Sequence, residues 1–327
     1  MTTLQPSLQR DQDLNFPRNS STHHSFLATK RISHVLAKVK PATSKRPLVD
    51  LSITATIEQA LSLLSSEDTL SVPVYRLDGA EQTKVYVAIV NVLDLMKLFN
   101  QQQQLTDNLF FQQSLEDAIE QTSQSERLVT VQVSDALLDV IALLTRQNTH
   151  QVLVINEQSQ PPILLSQMDL LRYLQAHNHH LGPILDLTVP RLVQLDSQQA
   201  RPTVTTATYK ITAFSAFQQL ARDARVGTLP IVDDEGYLVS DLGPQDLQGI
   251  DKSRFQELKK PILMFLKSNR RDLVVTPFTC HERFTLSQIM SALVLGKTSR
   301  LWWIGQDGHI KDVITPANVL GAFIALY

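Results

Sequence analysis

Four times along the chain, a short apolar run turns back on itself and leads to a polar residue at the start of an apolar helix. This repetition restricts the possible folds more than any other feature. The runs are "SVPVY", "QVLVI", "TLPIV" and "RLWWI", centred on Pro73, Leu153, Pro230 and Trp302. Thirteen residues before each centre stands an apolar residue: Ala60, Val140, Phe217 and Ile289. After each centre comes a polar residue near the start of the closing helix: Asp94, Asp169, Asp246 and Asn318. That second interval is 16 residues in the last three copies and 21 in the first, where the turn "RLDGAEQTK" is longer. The polar residues are spaced by 75, 77 and 72 positions.

Each copy also opens with a helix. The sets Ile57, Ala60, Leu61, Leu64; Leu137, Val140, Ile141, Leu144; and Leu286, Ile289, Met290, Leu293 follow i, i+3, i+4, i+7, which is one face of a helix. In the third copy Phe214 and Phe217 fit this face and Gln218 does not. Thr56 with Gln59, and Thr285 with Gln288, have the spacing of a capping box. Asp, Glu, Asn and Gly gather between the two apolar runs, as tight reversals require. The unit is therefore helix, strand, turn, strand, helix. One unit is too small to cover both faces of its sheet, so copies must pair.

This pattern resembles the CBS domain, a module of about 60 residues that pairs into two-fold Bateman modules. Four copies on one chain resemble the gamma regulatory subunit of AMP-activated protein kinase. The resemblance covers about residues 45–325 and is carried locally by "HQVLVINEQSQPPILLSQMDLLRYL", "GTLPIVDDEGYLVSDLGPQDL" and "SRLWWIGQDGHIKDVI". It implies an α+β fold in which four CBS repeats, as two Bateman modules, form a flat pseudo-symmetric disc. The expected organisation is a disordered tail over 1–25, a first module over 26–180 (repeats at about 45–105 and 125–178) and a second over 181–327 (repeats at about 198–252 and 270–327).

The same resemblance implies AMP, ADP or ATP as ligands, and no cofactor. Asp94, Asp169, Asp246 and Asn318 fall where the family binds ribose. A carboxylate can accept two charge-assisted bonds from a vicinal diol, which the Asn318 amide cannot match. Asp246 is the most promising of these. Aspartate also suits a helix N-terminus for its own sake, so a purely structural role stays open for each. Ser166 and Thr315 match the family's phosphate-binding hydroxyl, whereas Asn91 and Gly243 do not. Arg300 falls on the family's phosphate-binding arginine, and His150 on the histidine of its His-Arg pair. Gln151 and Ser71 stand where further cations would be expected. Arg300 could instead be a salt-bridge residue, and His150 a hydrogen-bonded, half-buried one.

The expected function is a non-catalytic, nucleotide-binding regulator of a protein kinase, partnered by catalytic and scaffold subunits. The alternative is a stand-alone CBS scaffold, or a phosphatase or kinase inhibitor with degenerate clefts. A net charge of −2 and a pI near 6.5 favour neither nucleic acid nor an acidic membrane. One cysteine, Cys280, forbids an intrachain disulfide and suits a reducing compartment. With no secretory signal or membrane span in view, a cytoplasmic or nuclear protein is expected. "HNHH" at 177–180 reads as a solvated linker, and no metal site is expected. "QQQQ" at 101–104 reads as a helix end or loop. Cys280 and His281 read as loop neighbours without a catalytic partner. "KSRFQELKKPILMFLKSNRR" reads as the helix introducing the fourth repeat. Trp302 and Trp303 should point to opposite faces of a strand.

Overall fold

The computed structural model describes residues 22–41, 48–79, 82–99, 108–121, 128–145, 149–156, 161–196, 204–222, 227–250, 253–270 and 276–326. "QQQQ" at 101–104 lies outside them. Two helices come first, α1 (Thr22–Ala28) and α2 (Ile32–Val39). The first repeat follows as β1 (Leu51–Ser52), α3 (Ile57–Ser66), β2 (Ser71–Asp78), β3 (Thr83–Asn91) and α4 (Val92–Phe99). After the linker helices α5 (Asn108–Gln112) and α6 (Leu115–Gln121), the second repeat is β4 (Thr130–Gln132), α7 (Leu137–Thr145), β5 (Gln151–Ile155), β6 (Ile163–Ser166) and α8 (Gln167–Ala176). Helix α9 (Val189–Asp196) leads to the third repeat: β7 (Ala207–Thr208), α10 (Ala213–Arg222), β8 (Leu229–Val232) and β9 (Leu238–Leu242). Helix α11 (Ile262–Asn269) leads to the fourth: β10 (Thr279–Cys280), α12 (Leu286–Leu295), β11 (Leu301–Ile304), β12 (Ile310–Ile314) and α13 (Pro316–Ala325).

Every repeat has one three-stranded sheet. In each, a short first strand lies parallel to the second, and the third returns antiparallel through the turn. The opening-helix faces expected in repeats two and four are fully buried. In the first repeat Ile57, Ala60 and Leu64 are buried while Leu61 is partly so. In the third, the stripe runs through Ala213, Ala216, Phe217 and Leu220 rather than through Phe214. Both capping boxes form: Thr56 Oγ1 accepts from the Gln59 amide at 3.2 Å, and Gln59 Oε1 accepts from the Thr56 amide at 2.9 Å. Thr285 and Gln288 make the same exchange at 3.4 and 2.9 Å. Thr285→Ala should therefore cost about 1 kcal/mol in chemical denaturation.

The repeats close into a ring through two kinds of contact. Their apolar cores join repeat two to four and repeat one to three. The helices α7 and α8 pack on α13 and α12, and α4 packs on α10. The strand hairpins instead join repeat one to two and three to four. Ser71 Oγ donates to Gln151 Oε1 at 2.6 Å, and Tyr237 stacks on His309 with ring centres 4.8 Å apart. Each core therefore draws on both halves of the chain.

The linker helices dock by one repeated device. An isolated antiparallel bridge ties the residue before each of α2, α6, α9 and α11 to the residue before a repeat's opening helix. The pairs are Arg31 with Ala136, Ser114 with Thr56, Thr188 with Thr285, and Pro261 with Thr212. Helix α2 thus serves repeat two, α6 repeat one, α9 repeat four and α11 repeat three. The helix that enters each module crosses to the second repeat, and the helix between repeats folds back on the first.

Several expectations change. Of the tail expected over 1–25, residues 1–21 lie outside the described residues and 22–25 belong to α1, which begins at Thr22 and buries His23, Phe26 and Leu27. The basic stretch before repeat four buries Phe255, Leu258, Ile262, Phe265 and Leu266, but against repeat three rather than repeat four. The closing helix of repeat three is missing and only one 3-10 turn, Pro244–Leu247, remains. Gly243 offers no capping side chain there, and Gly249 turns away at φ 73°, a conformation glycine adopts without strain. Cys280 sits in a strand rather than a loop and is buried, and its thiol is pushed up to about 12, chiefly by burial. The "HNHH" segment is a 3-10 turn packed on α1, with His180 stacked on Phe26 at 5.0 Å.

Candidate nucleotide clefts

The four polar residues that recur at the closing helices share one local geometry. Each accepts the backbone N–H of the residue three positions earlier. The bonds are Asn91 to Asp94 at 3.1 Å, Ser166 to Asp169 at 3.0 Å, Gly243 to Asp246 at 2.9 Å and Thr315 to Asn318 at 2.8 Å. Where a polar side chain is present at the cap it reciprocates: Asn91, Ser166 and Thr315 accept from the N–H of Asp94, Asp169 and Asn318. The hydroxyls of Ser166 and Thr315 also donate to Asp169 and Asn318, each at 2.8 Å. In repeats one, two and four these residues form polar pairs that cap the closing helix, while in repeat three Asp246 caps only the Pro244–Leu247 turn.

Beyond the cap, the four sites diverge. Around Asp169, Lys40 comes from the end of α2, with Nζ at 3.3 Å, and Arg172 from the next turn of α8, with Nη1 also at 3.3 Å. The Lys40 ammonium also donates to the Leu164 carbonyl. His150 is exposed just before β5, and its carbonyl accepts from the Gln167 N–H at 3.1 Å, which sets it beside the start of α8. Here two cations flank one carboxylate, and the backbone holds the exposed His150 next to the same helix start.

Repeat three repeats this arrangement with arginine. Arg270, at the end of α11, stands to Asp246 as Lys40 does to Asp169. Its Nε and Nη2 reach the two oxygens of Asp246 at 2.7 and 2.9 Å, and Nη2 also donates to the Asp241 carbonyl at 2.8 Å. This is a bidentate pair on a carboxylate that is only 2% exposed. Burial works against the Arg270 charge, but Asp246 and Asp241 outweigh it and raise its pKa.

Arg300 does not point into solvent. It is 5% exposed, and its Nε donates to Asp241 Oδ2 at 2.7 Å, across the interface with repeat three. Trp302 is fully buried and donates its indole N–H to the same oxygen at 3.0 Å, while Trp303 is half-buried. Burial opposes ionisation of Asp241, but Arg300, Trp302 and Arg270 together hold its carboxyl below the ordinary range. Neither Asp241 nor Arg270 was singled out from sequence. The signal was there for Asp241: it takes the strand position held by Ile89, Leu164 and Val313 in the other copies.

Among the described residues no cluster of His, Cys, Asp and Glu could hold a metal, and no helix is long and apolar enough to cross a membrane. No protein-family model matches the sequence. Among solved structures, a Methanocaldococcus jannaschii protein described as a proposed archaeal homolog of gamma-AMPK superposes over 89% of this chain and 99% of its own, at 17% identity and a TM-score of 0.65. An uncharacterized conserved protein from Pyrococcus horikoshii covers 85% of this chain and 96% of its own, at 16% identity and a TM-score of 0.50. A CBS domain protein from Pyrobaculum aerophilum, solved with AMP, covers 47% of this chain and 98% of its own, at 22% identity and a TM-score of 0.35. The chain has the fold of four CBS repeats, as two Bateman modules in a disc, and is similar in fold to the proposed archaeal homolog of gamma-AMPK.

Proposed function

We propose that this protein is a non-catalytic regulatory subunit that binds an adenine nucleotide in its first Bateman module and acts on a protein kinase complex in the cytoplasm or nucleus. Its modules divide at about residues 180 and 181. The observation that carries the reading is the surplus of positive charge at the start of α8, where Lys40 and Arg172 flank Asp169 and His150 stands beside them. Asp169 would bind the ribose hydroxyls, while Ser166, Lys40 and His150 would meet the phosphate. A nucleotide bound there regulates a partner only if it favours one docking state over another. The resemblance to a gamma-AMPK homolog supports a kinase as that partner.

Titration with AMP, ADP and ATP, followed by thermal shift and calorimetry, tests this. Ligand at 100 times Kd should stabilise the chain by about 2.7 kcal/mol. Asp169→Asn should lose at least about tenfold in affinity, because it removes the charge that strengthens the bonds to ribose. The amide keeps an acceptor for the Ser166 N–H, and Asn318 shows that this fold holds asparagine at the equivalent place. No response to any adenylate would leave the scaffold reading, which the Asp241–Arg300 pair in the second module favours.

A further inference from the structure

The second module carries two departures that meet. At the strand position of Asp241, the other three repeats have Ile89, Leu164 and Val313, each opposite the centre of its apolar run. Two residues before those centres stand Ser71, Gln151, Thr228 and Arg300, of which Arg300 alone is charged. The single acid and the single base at these equivalent positions lie 2.7 Å apart across the interface of repeats three and four. In the first module, Ser71 and Gln151 face each other at 2.6 Å with no charge at all. A buried acid introduced into an apolar strand is tolerated only when cations and donors surround it, and Arg300, Trp302 and Arg270 do so here. Within the group formed by Asp241, Asp246, Arg270 and Arg300, two positive charges balance two negative ones.

We infer that Asp241 is a built-in counter-anion that withholds Arg300 from ligand phosphate, so that the cleft between repeats three and four excludes nucleotide and sensing is confined to the first module. This rests on the reading of the clefts as adenylate sites. A phosphate approaching Arg300 would have to displace the Asp241 carboxylate and leave it buried beside a second negative charge. No such competitor stands at the equivalent place in the first module.

Calorimetry on the full chain with AMP, and separately with inorganic pyrophosphate, tests this. The wild type should bind AMP at one site per chain. Asp241→Asn, which keeps an acceptor for Trp302 and removes the charge, should gain a second AMP site and bind pyrophosphate about 100-fold more tightly. A folded Asp241→Asn chain with no new site, and no gain for pyrophosphate, would overturn the inference. Should that variant fail to fold, the double change Asp241→Leu with Arg300→Met decides, since it restores the apolar character of the other repeats at the first of these positions. Unchanged AMP affinity, within about twofold, agrees with a cleft that nucleotide does not use, while a loss beyond tenfold shows that Arg300 binds the ligand. If the wild type binds no AMP, the reading of the first cleft fails. The pyrophosphate comparison still judges Asp241 in that case.

Discussion

Arg270→Met is expected to destabilise the protein by about 3–5 kcal/mol, the largest effect of any single charge removal. The reason is what stays behind. Asp246 is 2% exposed and Asp241 6%, and both rely on the Arg270 guanidinium. Removing it strands Asp246 with the Gly243 N–H as its remaining charge-side bond among those described, and frees the Asp241 carbonyl. It also loosens the end of α11, which that side chain ties to the short Pro244–Leu247 turn. Lys40→Met is the matched control. Lys40 occupies the equivalent place, yet its side chain is 33% exposed and Asp169 keeps Arg172. Its loss should cost less than about 1 kcal/mol. Urea denaturation of both variants reads the contrast directly. Equal costs would show that the arginine pair contributes no more than a surface ion pair.

That contrast marks where sequence reasoning stops. Ile32, Val35 and Leu36 have the spacing of a helix face, and so do Ile262, Phe265 and Leu266, because burial imposes a helical period on any amphipathic segment. Nothing in that period says which repeat a linker helix will cover. The answer lies in backbone bridges such as Arg31 with Ala136 and Pro261 with Thr212, which leave no mark on side-chain pattern. The aspartates of the first three copies and Asn318 of the fourth were visible through their spacing, but their partners were not. Lys40 precedes Asp169 by 129 positions and Arg270 follows Asp246 by 24, so no common interval links cation to acid. The third repeat misled twice for local reasons. Its helix stripe uses Ala213 and Ala216, which are weak hydrophobic signals, and Asp246 seemed to open a helix that Gly249 ends after one turn.

The N-terminal helix is expected to make stability fall with acid well before the carboxylates titrate. His23 is 3% exposed on α1, edge-on to Phe323 of α13 at 6.0 Å, and neither ring nitrogen has a hydrogen-bond partner among the described residues. Burial, and then the charge of neighbouring His24, lower its pKa from 6.5 to about 4, against a smaller opposing pull from the nearby Leu326 carbonyl, which is not in hydrogen-bond geometry. Protonation is thus cheaper in the unfolded chain. The docked state keeps its full stability above about pH 6.5 and loses it as the pH falls toward 4, by at most about 1.4 kcal/mol per pH unit for one proton. His180 is shifted the same way, by partial desolvation and by the charges of His179, His177 and Lys30. Asp241 acts lower on the scale: its depressed pKa means that its contribution is intact above the ordinary carboxylate range and fails only below it. The decisive quantity is the stability gap between His23→Leu and wild type. Leucine suits the apolar contact with Phe323 and takes no proton, so the gap should widen in the variant's favour between pH 7 and pH 5. Denaturation curves at those two pH values supply it, and a gap that stays constant would mean that His23 ionises no more readily in the unfolded chain than in the folded one.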